Sequence, residues 1–391
     1  MGINEIIIVA IAIFALVGAL DRAIGDKFGL GKEFEEGLVT FAPLALSMVG
    51  MISLAPILAK VLNPVVVPVY TLLGADPSMF AGTLLANDMG GFHLAQEMAL
   101  NEQAGLLAGA ILAAMLGCTV VFTIPVGLGI VEVEDRPEFA LGVLVGVVTI
   151  PLGVLVGGLV AGFPPALVLS NLVPIIIASV LIALGLWRIP NAMTKGFLVF
   201  GKILVAIISI ALGIGAFEFL TGWQIMPSGW ELVPVTEGMQ IVAEICLFLM
   251  GAFPLMYIIV KLGKKPLSAA GRLLGINEVA SGGLIISLAN AIPTFQIMKD
   301  MDKRGVFINT AWAVSAMAVL GDHLGFTAGV APDMIVPMMV GKFVAAILAV
   351  VVAMIIARKR YPRTATAESA QMAGTTTADP ENPNEEPETE A

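Results

Sequence analysis

The sequence predicts an all-α polytopic membrane protein built as an inverted internal repeat, and three observations carry that expectation. Of the 391 residues, 58% are hydrophobic and 13% charged, with a mean hydropathy of +0.97. A soluble domain lies nearer roughly 45–50% apolar and 25% charged, so charge this sparse could not cover a water-exposed globule of this size. Apolar runs long enough to cross a bilayer fill most of the chain. The chain also matches itself at one fixed offset.

The first run, 3–20, is preceded by no Lys or Arg and contains Glu5, so it lacks the positive start of a secretory signal and reads as the first span. Further runs lie at 37–59, 104–130, 139–163, 166–187, 196–220, 238–260, 306–330 and 334–357. A crossing takes about 20 mostly apolar residues, which makes about nine full spans. Two more segments, 61–98 and 262–298, are apolar but interrupted by Pro, Gly and polar residues, as expected of re-entrant hairpins or broken helices.

If each broken segment enters and leaves on one side, the basic residues separate. Arg22, Lys27, Lys32, Arg136, Arg188, Lys195, Lys261, Lys264, Lys265, Arg272, Lys299, Lys303, Arg304, Arg358, Lys359, Arg360 and Arg363 fall on the side of the C-terminus, and Lys60 on the other. The positive-inside rule then puts the C-terminus in the cytoplasm. Most of the net charge of −10 sits after Arg363, in a stretch rich in Thr, Pro and Glu that reads as a disordered acidic tail, 364–391.

At an offset of 201 residues, 37–60 matches 238–261 through Gly37/Gly238, Ala42/Ala243, Leu46/Leu247, Gly50/Gly251, Leu54/Leu255, Ile57/Ile258 and Lys60/Lys261. The same offset aligns Leu72-Leu73-Gly74 with Leu273-Leu274-Gly275 and Gly82 with Gly283. An odd number of crossings separates equivalent points, so the copies face opposite ways, the plan of many secondary transporters. The expected organisation is a first repeat at 1–163, a linking span within 164–195, and a second repeat at 196–363.

Ionisable groups inside a membrane cost roughly 2.5–3.5 kcal/mol each and mark function by default. Asn87-Asp88, then His93 and Glu97, stand in the first broken segment, with Phe92 beside them. Asn277-Glu278 and Asn290 stand in the second; Glu244, Trp312 and Asp322 lie in neighbouring spans. Each has a plainer role to set against binding. Asp88 could cap a half-helix, Asp322 could pair with Lys342, Glu97 could be a solvated loop acid, and Glu244 could bond a neighbouring helix. His93 could bond within its own hairpin, and Trp312 and Phe92 could simply pack. The excess of acids over bases within the spans favours a small cation as solute. Carboxylates would hold an ammonium group, Asn amides a hydroxyl, and Phe92 or Trp312 a cation–π wall.

Enzyme signatures are missing. There is no Gly-rich Lys-Ser/Thr phosphate loop and no His-Glu-x-x-His, and the two cysteines, Cys118 and Cys246, lie deep in apolar runs. We expect no enzyme, no cofactor, no metal and no nucleic-acid partner.

Residues 1 to about 360 resemble the ethanolamine permeases of the ethanolamine-utilisation, or EutH, family. The resemblance rests on Ala81-Gly82-Thr83-Leu84-Leu85-Ala86-Asn87-Asp88-Met89-Gly90-Gly91, on Gly275-Ile276-Asn277-Glu278-Val279-Ala280-Ser281-Gly282-Gly283, and on Leu320-Gly321-Asp322-His323-Leu324-Gly325. It implies a bacterial inner-membrane carrier that takes up ethanolamine for catabolism by other proteins, with Asn87, Asp88, Asn277, Glu278 and Asp322 at the substrate. Asn277-Glu278-Val279-Ala280 is also similar to the substrate-lining element of concentrative nucleoside transporters. That leaves an ion-coupled nucleoside or nucleobase symporter as the alternative and a membrane assembly or signalling protein as a third reading. Proton and sodium coupling both stay open, as does a homo-oligomer.

Overall fold

The computed structural model describes residues 2–361, apart from the side chains of 263–270 and 272. The expected tail at 364–391, the Arg363 position and the side chains of Lys264, Lys265 and Arg272 lie outside the described residues. Within them the chain is helical and contains no strand.

In order, the helices are α1 (Ile3–Ala23), α2 (Leu30–Val39), α3 (Phe41–Leu72), α4 (Ser78–Leu84), α5 (Gly91–Met98), α6 (Glu102–Ile130), α7 (Arg136–Val160), α8 (Pro165–Arg188), α9 (Pro190–Thr221), α10 (Val235–Leu274), α11 (Glu278–Ala289), α12 (Ala291–Gln296), α13 (Lys303–Ala316), α14 (Asp322–Val330) and α15 (Ile335–Arg360). Eight helical stretches among the described residues are long and apolar enough to cross a membrane.

The structure corrects three boundaries. The run at 306–330 is not one span, because the helix stops at Ala316 and restarts at Asp322. The first broken segment starts later than residue 61: α3 continues to Leu72 through Pro56, Pro64 and Pro68. Prolines are tolerated there because neighbouring groups in a membrane helix bundle re-satisfy the freed carbonyls. The second starts later than residue 262, since α10 runs to Leu274. At 40 residues α10 is about 60 Å long, twice the hydrocarbon thickness of a bilayer.

Burial separates core from periphery. In α6, 94% of the central apolar window is buried, against 11% in α1. Apolar residues such as Ile13, Leu16, Leu181 and Ile210 are exposed on α1, α8 and α9, the pattern of helices facing lipid. Small residues let the inner helices approach. A side chain at Gly142 would overlap Thr310 of α13, and one at Gly153 would overlap Ala345 of α15, which seats α7 against both.

The order of elements recurs. A long helix, short helices around a break, a further stretch, a 3₁₀ turn (Val133–Asp135 or Pro332–Met334) and a long closing helix run from α3 to α7 and again from α10 to α15. Close glycine contacts recur as well. A Cβ at Gly37 would strike the backbone of Met250, and one at Gly238 would meet Val49. Gly50 lies against the carbonyl oxygen of Ile208, and Gly251 against that of Ile11. Gly82 faces Ala108 as Gly283 faces Asn309.

Candidate functional site

Three interruptions of helix meet at one place. In the first, Leu85 (φ −121°, ψ 139°) and Ala86 (φ −65°, ψ 149°) are extended and Asn87–Met89 forms a 3₁₀ turn. Gly90 closes this break at φ +86°, a conformation that costs glycine little. In the second, Asn290 is extended between α11 and α12, and its Oδ1 accepts a 2.8 Å hydrogen bond from the Ile292 amide. The third runs from Met317 to Gly321. There Ala318 adopts φ +55°, which is strained for a residue with a Cβ. The strain is held by main-chain bonds: the Ala318 amide donates to Ser287 O at 2.9 Å and the Leu320 amide to Leu288 O at 3.0 Å. The third break is thereby strapped to the arm of the second.

Between the breaks lies a cavity of about 180 Å³. The first break contributes Ala86, Asp88 and Met89, the second Asn290, Ala291 and Ile292, and the third Met317, Ala318, Asp322 and His323. α6 completes the wall with Cys118 and Phe122. This part of α6 is wound as π-helix over Leu107–Gly117 and Thr119–Thr123, a rare geometry that is frequent at functional sites. The cavity therefore presents two carboxylates, a carboxamide and an imidazole against otherwise apolar walls.

Behind His323 stands Lys342, which has no exposed surface. Its Nζ donates to Ala114 O at 2.6 Å and lies 2.8 Å from His323 Nδ1. The plainer role for Asp322, a structural pair with Lys342, is thus not what the lysine's hydrogen bonds show. His323, on the cavity wall, and Lys342 behind it were not among the residues expected at the substrate. The available signal was a lysine eight residues into an apolar span, at roughly two turns from its start.

Of the residues expected at the substrate, Asp88 and Asp322 share the cavity, joined by Asn290. Asn87, next to Asp88, is fully buried, and neither atom of its amide has a hydrogen-bond partner among the described residues. Asn277 and Glu278 stand elsewhere, both exposed. Asn277 is the N-cap of α11: its Oδ1 accepts from the Ala280 amide, its Nδ2 donates to Asp300 O, and its backbone amide donates to Asp302 Oδ1, each at 2.9 Å. The remaining candidates also lie off the cavity wall. His93 packs edge-on against Phe92 at 5.5 Å, and Phe92 in turn against Phe326 at 5.7 Å. Glu97 is exposed, and Glu244 is exposed with Gln240 donating to it at 2.9 Å. Trp312 Nε1 donates to Leu284 O at 2.9 Å, tying α13 to α11.

Comparison with known proteins bears on the same chain. The family model described as "Ethanolamine utilisation protein, EutH" matches residues 3–356. A protein of Listeria monocytogenes named "Probable ethanolamine permease EutH" is 57% identical over 372 residues, covering 95% of this chain and 99% of its own. A protein of the same name from Escherichia coli is 45% identical over 406 residues, covering 95% and 99%. The Bacillus subtilis "Uncharacterized protein YxeR" is 46% identical over 347 residues, covering 89% and 93%. No solved structure matches the chain.

Proposed function

We propose that this chain, which belongs to the ethanolamine utilisation protein EutH family, is a multi-pass membrane permease for ethanolamine and not an enzyme. The observation that carries the reading is that Asp88 and Asp322 open onto one small cavity at the meeting of three helix breaks. A protonated amine leaving water loses its hydration, and two carboxylates with fixed geometry offset that loss, where one exposed acid would not. Asn290 in the wall, and Asn87 with its unpartnered amide, offer hydrogen bonds to a hydroxyl two carbons away.

Size favours a small solute over a nucleoside. The cavity, about 180 Å³, falls below the roughly 300–1,000 Å³ typical of sites for drug-sized ligands. The substrate class named for the relatives fits it.

Transport proceeds by alternating access between inverted halves, 1–163 and 196–363, joined through 164–195. The recurring order of elements and the reciprocal glycine contacts at Gly37/Gly238 and Gly50/Gly251 support this plan. The concentration of basic residues at one end supports an inner-membrane location with the C-terminus in the cytoplasm. The test is uptake of labelled ethanolamine into proteoliposomes, with pH and sodium gradients imposed separately. Protein-dependent uptake that excess uridine leaves unchanged is expected, and the response to each gradient identifies the coupling ion. Absence of uptake above empty vesicles, with the protein folded, would overturn the proposal.

A further inference from the structure

A second, larger cavity, of about 510 Å³, lies away from the transport site. It is bounded by the end of α6, the start of α7, the α8–α9 junction and the end of α15. Its floor is apolar, with Leu128 and Leu144 among the lining residues, and two arginines, Arg136 and Arg360, stand in its wall.

Among the described residues both guanidiniums have few partners, Arg360 also lying 5.9 Å over the Tyr361 ring. Arg136 Nε donates to Val131 O at 3.3 Å, and Arg360 Nε to the Tyr361 hydroxyl at 3.1 Å. Among the described residues neither forms an ion pair with a carboxylate. A guanidinium carries five N–H donors, so most of those on both side chains have no acceptor among the described residues. Thr194 adds a hydroxyl to the wall.

The position is that of a membrane surface. Trp187 lines the cavity, is 63% exposed and carries the Arg188 guanidinium 4.5 Å above its ring. Trp and Arg side by side at a helix end mark the headgroup level of a bilayer. Nearby on α7 and α8, Val148 and Leu184 are exposed, so the helices that frame the groove also face hydrocarbon.

We infer that this groove is a binding site for an anionic phospholipid, with the phosphate on Arg136 and Arg360 and an acyl chain along Leu128 and Leu144. The arginine fork matches a phosphate in both shape and charge, while the apolar floor has no use for a soluble anion. Interhelical basic pockets at the headgroup level bind lipids by this chemistry.

The test is native mass spectrometry of the full chain in detergent, titrated with phosphatidylglycerol and phosphatidylethanolamine of identical acyl chains. Phosphatidylglycerol is expected to be retained with a preference of roughly tenfold or more, as two basic side chains near a lipid phosphate would give. The doubly substituted Arg136→Gln/Arg360→Gln protein is expected to lose that preference while keeping its monodisperse elution. Equal retention of the two lipids by the unsubstituted protein would overturn the inference. So would displacement of the lipid by glycerol 3-phosphate, which would mark a site for a soluble phosphate. Should the double variant fail to fold, a photoreactive phosphatidylglycerol on the unsubstituted protein decides the matter. Labelling of peptides covering 124–144 and 186–194 is expected, and labelling elsewhere would overturn the assignment.

Discussion

Lys342, fully buried in α15, places its Nζ 2.8 Å from Nδ1 of His323, the residue that follows Asp322 at the cavity. An ammonium donates and cannot accept, so we assign Nδ1 as the acceptor and the ring proton to Nε2. The pair braces the start of α14 against α15, and the bond to Ala114 O extends that brace to α6. Two of the elements around the cavity, α6 and α14, are thus tied to α15 by one side chain.

Lys342→Met is therefore expected to strand one buried acceptor, Nδ1 of His323. Leaving it unpaired costs about 1–3 kcal/mol, so the midpoint of thermal unfolding in detergent falls and uptake falls with it. His323→Ala removes that acceptor along with the lysine's contact. It is expected to lower the midpoint less than Lys342→Met does.

Asp88→Asn and Asp322→Asn keep side-chain volume and remove charge. Loss of a hydrogen bond to a charged group is worth about 1.5–3 kcal/mol, which predicts roughly a ten- to hundredfold fall in ethanolamine uptake for each. Glu278→Gln, at an exposed position, is expected to transport at the unsubstituted rate. A defect in Glu278→Gln alongside normal Asp88→Asn would move the site to the other end of α11.

Cys118 lines the cavity and Cys246 does not, so a single thiol reports on occupancy. In a Cys246→Ala background, an aminoethyl thiosulfonate reagent is expected to modify Cys118. Ethanolamine should slow that reaction severalfold and uridine should not, as read by intact-mass spectrometry. Protection by uridine alone would favour the nucleoside reading.

Gly50 lies against the carbonyl oxygen of Ile208, and Gly251 against that of Ile11. Inserting a side chain at either forces helices apart, at about 1–3 kcal/mol for overpacking. Gly50→Val and Gly251→Val are expected to lower stability by similar amounts, measured as unfolding midpoints. A large effect at one and none at the other would argue against equivalent halves.

Asn277→Ala removes the N-cap of α11 and its link to Asp300 O. A loss of about 0.5–2 kcal/mol of stability is expected, with uptake per folded molecule unchanged.

The amino-acid sequence alone determined the class of the protein, because a bilayer demands long apolar helices and punishes charge, and both leave their mark in composition and run length. It also singled out Asp88 and Asp322, which the structure brings to one cavity, since a carboxylate inside an apolar stretch is conspicuous one residue at a time. What sequence could not decide was which polar residues meet. Asn277-Glu278 and Asn290 read alike as polar interruptions of one segment, yet a turn position makes the first a cap and the second a cavity wall. The break at Met317 to Gly321 was hidden because its residues are apolar and its strain at Ala318 is held by bonds to Ser287 and Leu288, some thirty residues away in the chain. Lys342 was hidden for a related reason. A buried lysine reads as a misplaced charge until the fold brings His323 and Ala114 O to it, and only packing among distant segments does that.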